Sequence, residues 1–388
     1  MTKKKVLFVT GNRADFGIIS NLYIKIKKSK KIKSKILVCG NHFDKKYGNS
    51  FIEILNNNIK EIIKINVKLK KDKKKDILFF VSETIKKLTK TLINEKPNIV
   101  VLLGDRYEIF SAAITCLILN IPIAHIHGGE ITRGAFDDSI RHSITKMSLL
   151  HFAATDRYKK RIIQLGENPK NVFNVGSLGA ENLKKNKKIT SNDLKRFNKI
   201  KFTTKNLLIA YHPVTNQKDL GIKGFKNLLL SLKKLKHTNL IFTGSNPDPG
   251  GLKINQLSKS YVKKNKKNSI FIHNLGQNLF HMVLKKVDCI IGNSSSGIIE
   301  APSSDTLSIN IGQRQEGRIL CKSVINVDEN RRKIDKSINK IYKNNYSKIL
   351  KNQTKYYEQK NTSNKIIDVL EKFDASAVNI KKFFDINL

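Results

Sequence analysis

The most informative candidate chemistry in this chain is Gly292-Asn293-Ser294-Ser295-Ser296-Gly297-Ile298-Ile299-Glu300. The apolar run Val287 to Ile291 before it reads as a buried strand, and the chain from Ile298 onward reads as helix. A backbone that leaves a strand through Gly and Ser and enters a helix turns N–H groups, hydroxyls and the positive end of the helix dipole toward one point. That point suits a diphosphate, which makes Ser294, Ser295, Ser296 and Gly297 candidate nucleotide ligands. Glu300 lies about one helical turn beyond, where a carboxylate can accept hydrogen bonds from the two hydroxyls of a ribose. The alternative is a small-residue N-cap followed by a surface Glu.

Other segments repeat this placement of reactive side chains after an apolar run. Thr10-Gly11-Asn12-Arg13-Ala14-Asp15-Phe16-Gly17 offers a Gly turn and a phosphate clamp in Arg13, but lacks the GxGxxG spacing of a dinucleotide site. Leu103-Gly104-Asp105-Arg106-Tyr107-Glu108 places Asp105 either as an N-cap with an ordinary ion pair or as a rigidly held catalytic carboxylate. In Ala124-His125-Ile126-His127-Gly128-Gly129-Glu130 the two histidines alternate on a strand and therefore share one face, with Gly128-Gly129 permitting close backbone approach. In Asp137-Asp138-Ser139-Ile140-Arg141-His142 either Asp can cap the next helix, with Arg141 and His142 one turn on. These acids and imidazoles suit proton transfer; a metal site is the rival, without HExxH or facial-triad spacing to support it. His212, in Ala210-Tyr211-His212-Pro213-Val214-Thr215, is held extended by the following Pro. Arg314, in Ile311-Gly312-Gln313-Arg314-Gln315-Glu316-Gly317-Arg318, can neutralise a diphosphate.

Elements that position these residues follow from the apolar runs. Strand character recurs at Val6 to Val9, Ile36 to Val38, Ile62 to Val67, Ile99 to Leu103, Ile121 to Ile126 and Leu150 to Ala153. A second series occupies Leu207 to Tyr211, Leu240 to Phe242, Ile270 to Ile272, Cys289 to Ile291 and Leu307 to Ile311. Amphipathic segments separate them, the alternation of parallel sheets wrapped by helices. The expected fold class is α/β, with two doubly wound Rossmann-like domains at 1–180 and 181–355 and a helical segment at 356–388. Ligands of such folds bind beyond the carboxyl ends of the strands, so a cleft between the two halves is expected.

At 388 residues two domains are the natural division. The formal charge of +43 invites a polyanion-binding reading. Against it, the cations are 63 Lys and 11 Arg, and Lys-rich stretches such as Lys70 to Lys75, Lys184 to Lys188 and Lys263 to Lys267 have no interleaved aromatics. Five arginines (Arg13, Arg106, Arg141, Arg314, Arg318) fall inside the motifs above, and guanidinium is the preferred bidentate phosphate ligand. Four cysteines without CxxC spacing point to buried thiols in a reducing cytoplasm. Val6 to Val9 is too short for a signal-peptide core, and Ile109 to Ile126 is too interrupted for a membrane span.

Taken together, Gly-Asn-Arg-Ala-Asp-Phe, Gly-Asp-Arg-Tyr-Glu, His-Ile-His-Gly-Gly-Glu, Asp-Asp-Ser-Ile-Arg-His, Tyr-His-Pro-Val-Thr, Gly-Asn-Ser-Ser-Ser-Gly and Gly-Gln-Arg-Gln-Glu-Gly-Arg resemble the UDP-N-acetylglucosamine 2-epimerases, in family order from Thr10 to Arg318. The likeness is to their hydrolysing branch, which makes N-acetylmannosamine for sialic acid synthesis or a deoxy-diamino analogue for legionaminic acid. The resemblance implies a GT-B architecture, with the nucleotide on the C-terminal half and the sugar facing the N-terminal half. It implies a reaction with no cofactor: loss of the C2 proton, anti elimination of UDP to a glycal, and hydration with inversion at C2 to give the free sugar. Family carboxylates map onto Asp105 and Asp137, the histidine onto His212, the diphosphate serines onto Ser294 and Ser295, the ribose acid onto Glu300 and the arginine onto Arg314. His127 stands where other branches carry a catalytic Glu, so either His127 transfers protons or Glu130 supplies the carboxylate. The stretch from Glu130 to Asp137 is one residue longer than in some relatives, which leaves Asp138 as an alternative to Asp137.

The expected partner is a small-molecule nucleotide sugar carried on UDP or GDP, with no nucleic acid and no membrane. A cytoplasmic homo-oligomer, dimer or tetramer, is the expected assembly. The alternatives are a non-hydrolysing 2-epimerase, a GT-B glycosyltransferase and, in a different class, a polyanion-binding protein.

Overall fold

Runs such as Ile99-Val100-Val101-Leu102-Leu103 carry no polar alternation, as expected of strands covered on both faces in a parallel sheet. The computed structural model describes residues 3–44, 50–184, 189–343, 345–375 and 381–386. The chain divides into two compact units: unit 1 comprises Met1–Glu130, Asp137–Asn182 and Tyr357–Leu388, and unit 2 comprises Ile131–Phe136 and Leu183–Tyr356.

The first stretch of chain runs β1 (Lys4–Thr10), α1 (Arg13–Ile26), β2 (Ile32–Val38), α2 (Phe51–Asn56), β3 (Ile62–Lys64), α3 (Lys74–Glu95), β4 (Ile99–Leu103), α4 (Tyr107–Ile118), β5 (Ile123–Ile126), α5 (Asp137–Met147), β6 (Leu150–Ala153), α6 (Asp156–Gln164), β7 (Val172–Asn174) and α7 (Leu178–Lys184). It continues through α8 (Ser191–Asn198), β8 (Lys205–Ala210), α9 (Ile222–Leu232), β9 (Thr238–Thr243), α10 (Gly251–Lys264), β10 (Ser269–Ile272), α11 (Gly276–Leu284), β11 (Cys289–Gly292), α12 (Ser296–Ser303), β12 (Leu307–Ile311), β13 (Val324–Val327), α13 (Arg331–Lys343) and α14 (Ser347–Asn352). A last helix, α15 (Thr362–Lys372), belongs to unit 1.

Unit 1 is built on a seven-stranded sheet in the order β3-β2-β1-β4-β5-β6-β7, and unit 2 on a six-stranded sheet in the order β10-β9-β8-β11-β12-β13. Every pairing in both is parallel. Strand order therefore reverses between β1 and β4 in unit 1 and between β8 and β11 in unit 2. Loops diverge at such a switch point and leave a crevice at the carboxyl ends of the two strands. In unit 1, Phe8, Phe16, Leu22, Ile36, Val101 and Phe152 pack in one core with Ile366 and Leu370 of α15. In unit 2, Leu207, Phe225, Phe242, Ile291, Ile309 and Ile334 form the corresponding core.

Two strands escaped the sequence reading. Both β7 and β13 are sheet edges, only three and four residues long, and most of their side chains are half-buried or exposed. The run expected to extend through Val67 pairs only over Ile62–Lys64. The lysines of the 70–75 and 263–267 stretches are solvent-exposed; residues 185–188 of the third stretch lie outside the described residues. Among the described residues no helix is long and apolar enough to cross a membrane.

Candidate active site

In unit 1 the candidate acids gather at the ends of β4 and β5. Gly104, at φ +76°, turns the chain after β4. Asp105 then forms an ion pair with Arg141 of α5. The N-cap of α4 is Arg106, so Asp105 is an ion-paired carboxylate and not a helix cap. Arg141 is buried; its Nη1 donates to the Glu130 carbonyl oxygen at 2.8 Å and lies 3.6 Å from Asp138 Oδ1. Residue type set Arg141 among the arginines suited to phosphate, but in the fold its guanidinium meets the Asp105 and Asp138 carboxylates and the Glu130 carbonyl oxygen. A guanidinium buried among acids stays there because its rigid fork satisfies several acceptors together.

The two histidines do not share a face. Strand β5 stops at Ile126, and His127 adopts φ +67°, a left-handed conformation that turns its side chain away from the strand's alternation. His125 is a core histidine: its Nε2 lies 2.8 Å from the Gly104 carbonyl and its Nδ1 3.2 Å from Thr145 Oγ1. Burial pushes its pKa down to about 3, so the ring is neutral. His127 Nδ1 instead donates to Glu130 Oε1 at 2.8 Å, and its Nε2 lies 3.5 Å from Ser177 Oγ. Left-handed backbone at a residue with a side chain costs about 1–2 kcal/mol, and such residues cluster at functional sites.

Asp137 opens α5 and is buried, whereas Asp138 is more open and faces Arg141 and His142, the latter at 3.7 Å. Arg13 is the first residue of α1 and half-buried; Asn12 caps that helix, accepting from Ala14 N at 2.8 Å and Asp15 N at 3.1 Å. Among the described residues no three His, Cys, Asp or Glu side chains converge as metal ligands would.

Beneath the Gly11 turn lies a pair of acids outside the set of candidate residues. Asp15 and Glu108 are both buried, with Asn12 Nδ2 donating to Asp15 Oδ2 at 2.8 Å and Asn41 Nδ2 to Glu108 Oε1 at 3.0 Å. Arg106 Nε lies 3.5 Å from Glu108 Oε2. Burial first, and then the Glu108 charge, pushes the Asp15 pKa up to about 7. The available signal was an acid inside an apolar helix: Glu108 is flanked by Tyr107 and Ile109.

In unit 2 the candidate nucleotide ligands lie where β8, β11 and β12 end. Gly292, at φ +146°, passes so close to β8 that a Cβ there would sit 2.0 Å from the Ala210 carbonyl oxygen. Asn293 follows and reads both sides of His212: its Oδ1 accepts from His212 N at 2.7 Å and its Nδ2 donates to His212 O at 2.8 Å. Asn293 was the residue missed here. The Asn246 amide donates to His212 Nδ1 at 3.1 Å, which leaves the neutral ring's proton on Nε2 as a donor. Arg314 donates through Nε to Pro213 O at 3.1 Å and through Nη1 to Asn293 O at 3.2 Å, fixing three loops together.

Helix α12 begins at Ser296, with Ser295 before it and Ser294 Oγ accepting from Ser296 N at 3.3 Å. Gly297 has room only for hydrogen, because a Cβ would lie 2.6 Å from Ser308 Oγ. Glu300 is half-buried, its Oε1 3.5 Å from His281 Nε2. Unit 2 thus brings Ser294, Ser295 and the N-terminus of α12 into one sheet end with His212 and Arg314, an arrangement of donors suited to an anion. Unit 1 brings Asp105, Glu130, His127 and the start of α5 together, an arrangement suited to proton transfer.

Residues 24–371 match a protein-family model described as UDP-N-acetylglucosamine 2-epimerase. The chain is 39% identical over 330 residues, 85% of its length and 86% of the relative's, to the GDP/UDP-N,N'-diacetylbacillosamine 2-epimerase (hydrolyzing) of Campylobacter jejuni. It is 37% identical to the polysialic acid biosynthesis protein P7 of Escherichia coli over 99% of this chain and 98% of that one. Among solved structures, the UDP-GlcNAc 2-epimerase of Neisseria meningitidis bound to UDP-GlcNAc superimposes with a TM-score of 0.78 at 22% identity, covering 95% of this chain and all of that chain, a likeness of fold of the GT-B type.

Proposed function

Given that this chain belongs to the UDP-N-acetylglucosamine 2-epimerase family, we propose that it is a hydrolysing nucleotide-sugar 2-epimerase. Its substrate in this reading is UDP-2,4-diacetamido-2,4,6-trideoxy-glucose or UDP-N-acetylglucosamine, and its products are UDP and the free 2-epimer. The single observation that carries the hydrolysing branch is the 39% identity, across 85% of the chain, to a relative named as hydrolysing.

In this reading each step has a candidate group. A base takes the C2 proton; the C1–O bond breaks with its electron pair passing to the β-phosphate oxygen, so UDP leaves and a glycal remains. Water then adds, its hydroxyl to C1, while a proton is delivered to C2 on the opposite face. His127, oriented by Glu130, handles one of the two C2 protons, with Asp105 and Asp137 as the carboxylates for the other and for the water. His127 would take the place of the Glu used in other branches, with Glu130 as its orienting acid. The His212 Nε2–H, Ser294, Ser295, the α12 N-terminus and Arg314 hold the departing diphosphate, Glu300 the ribose and Arg13 a further phosphate oxygen. The reading extends to a cytoplasmic homo-oligomer, the first supported by four buried thiols.

The test is NMR of the sugar released from a panel of UDP-N-acetylglucosamine and the UDP- and GDP-linked diacetamido sugars. The expected result is UDP or GDP plus a free 2-epimeric sugar carrying one solvent deuterium at C2. An intact epimerised nucleotide sugar would move the protein to the non-hydrolysing branch, and turnover only with an added acceptor would make it a glycosyltransferase. Tight, steeply salt-dependent nucleic-acid binding would favour the polyanion reading of the +43 charge.

A further inference from the structure

The six residues between Glu130 and Asp137 belong to the other unit. Glu130 ends one stretch of unit 1 and Asp137 begins the next, while Ile131–Phe136 is part of unit 2. Within unit 2 this strap meets two loops. Against the loop after β8, Asn216 N donates to Gly134 O at 3.3 Å, Asn216 Nδ2 to Arg133 O at 2.9 Å, and Phe136 N to Thr215 Oγ1 at 3.1 Å. Against the loop after β12, Arg133 N donates to Glu316 O at 3.2 Å and its guanidinium pairs with Glu316 at 3.2 Å.

Two glycines let the backbones close. A Cβ on Gly134 would stand 2.5 Å from Arg314 Cα, and one on Gly317, at φ +95°, would stand 2.3 Å from Ile131 Cγ2. The loops that grip the strap are therefore the ones that carry His212 and Arg314. A connection serving only to join two elements has no need of side-chain bonds to its main chain from Thr215 and Asn216, nor of glycine where it passes Arg314.

We propose that the strap is a positioning element: docked on the His212 and Arg314 loops, it fixes the covalently attached Glu130 and Asp137 for proton transfer. This rests on the functional reading above. Thr215, Asn216 and Gly134 act through those acids and touch no reacting atom. The consequence is a split between chemistry and nucleotide affinity that a residue of the nucleotide site itself would not give.

The experiment measures kcat for nucleotide-sugar hydrolysis and Kd for UDP in the full chain bearing Asn216→Ala, Thr215→Val or Thr215→Ser. Asn216 is solvent-exposed, so its truncation leaves the fold intact. Loss of one strap bond in each should lower kcat about tenfold in Asn216→Ala and Thr215→Val. UDP affinity should stay within about threefold, and Thr215→Ser, which keeps the hydroxyl, should restore kcat. Turnover within twofold of wild type in both truncations, or a kcat loss matched by an equal loss of UDP affinity, overturns the strap's role while leaving the hydrolytic reading in place. A wild-type chain that releases no UDP from any nucleotide sugar overturns the reading itself.

Discussion

His127 Nδ1 donates to Glu130 Oε1 across 2.8 Å while His127 holds a left-handed backbone at φ +67°. The chain accepts an unfavourable conformation and holds one imidazole on a buried carboxylate, which predicts that the pair works as a unit. Replacing Glu130 with Gln should lower kcat by about two orders of magnitude with KM changed only a few-fold, since the ring loses both its tautomer preference and its orientation. His127→Gln should cost at least as much, and the double variant little more than the worse single one. Steady-state UDP release measures all three. Strict additivity of the two losses would mean that the residues act separately.

Arg141 carries a second prediction. It is buried among Asp105, Asp138 and the Glu130 carbonyl, and removing one partner of a buried ion pair strands the other in low dielectric. Arg141→Met should destabilise unit 1 by about 3–5 kcal/mol. Arg141→Lys should recover little of this, because an ammonium cannot span the same acceptors. Denaturant titration reads both, and a full recovery by Lys would show that charge alone matters there.

Asp15 gives the chain a characteristic pH dependence. Its pKa rises from 3.8 to about 7 on folding, so between those values the folded chain holds a proton that the unfolded chain has lost. The sign follows: this residue's contribution to stability falls as pH rises from about 4 to about 7, and is constant above that. The whole effect is at most about 4 kcal/mol, with the Glu108 and Arg106 charges dividing it. Buried His42 and His125, whose pKa values are pushed down to about 3, act oppositely by opposing folding in acid. The measurement is therefore the difference between wild type and Asp15→Asn across pH 4 to 8. Parallel curves would show that Asp15 is ionised throughout.

Much of the fold was legible because buried parallel strands are written as unbroken apolar runs. Ile99 to Leu103, Leu150 to Ala153 and Leu307 to Ile311 are strands with those same bounds. The edges β7 and β13 were not legible, since a strand paired on one side needs less apolar surface and Val172-Phe173-Asn174 resembles a loop. Motif order likewise located the chain segments that hold candidate groups, because small residues must follow a strand wherever backbone turns toward a ligand.

What the amino-acid sequence determined by itself was the alternation of strands and helices, the family, and the set of side chains delivered to the carboxyl ends of the strands. Only the tertiary structure decided which of those side chains work together. Periodicity put His125 beside His127, but one left-handed residue sent the first into the core and the second to Glu130. Residue type set Arg141 among the arginines suited to phosphate, but burial beside Asp105 gave it to the acids. The reason is physical: local sequence sets dihedral and hydrophobic preferences over a few residues, whereas partners such as Asp105 and Arg141 meet through the packing of α5 against α4 and β5. The strap shows the same limit, since nothing in Ile131 to Phe136 announces that Thr215 and Asn216 will hold it.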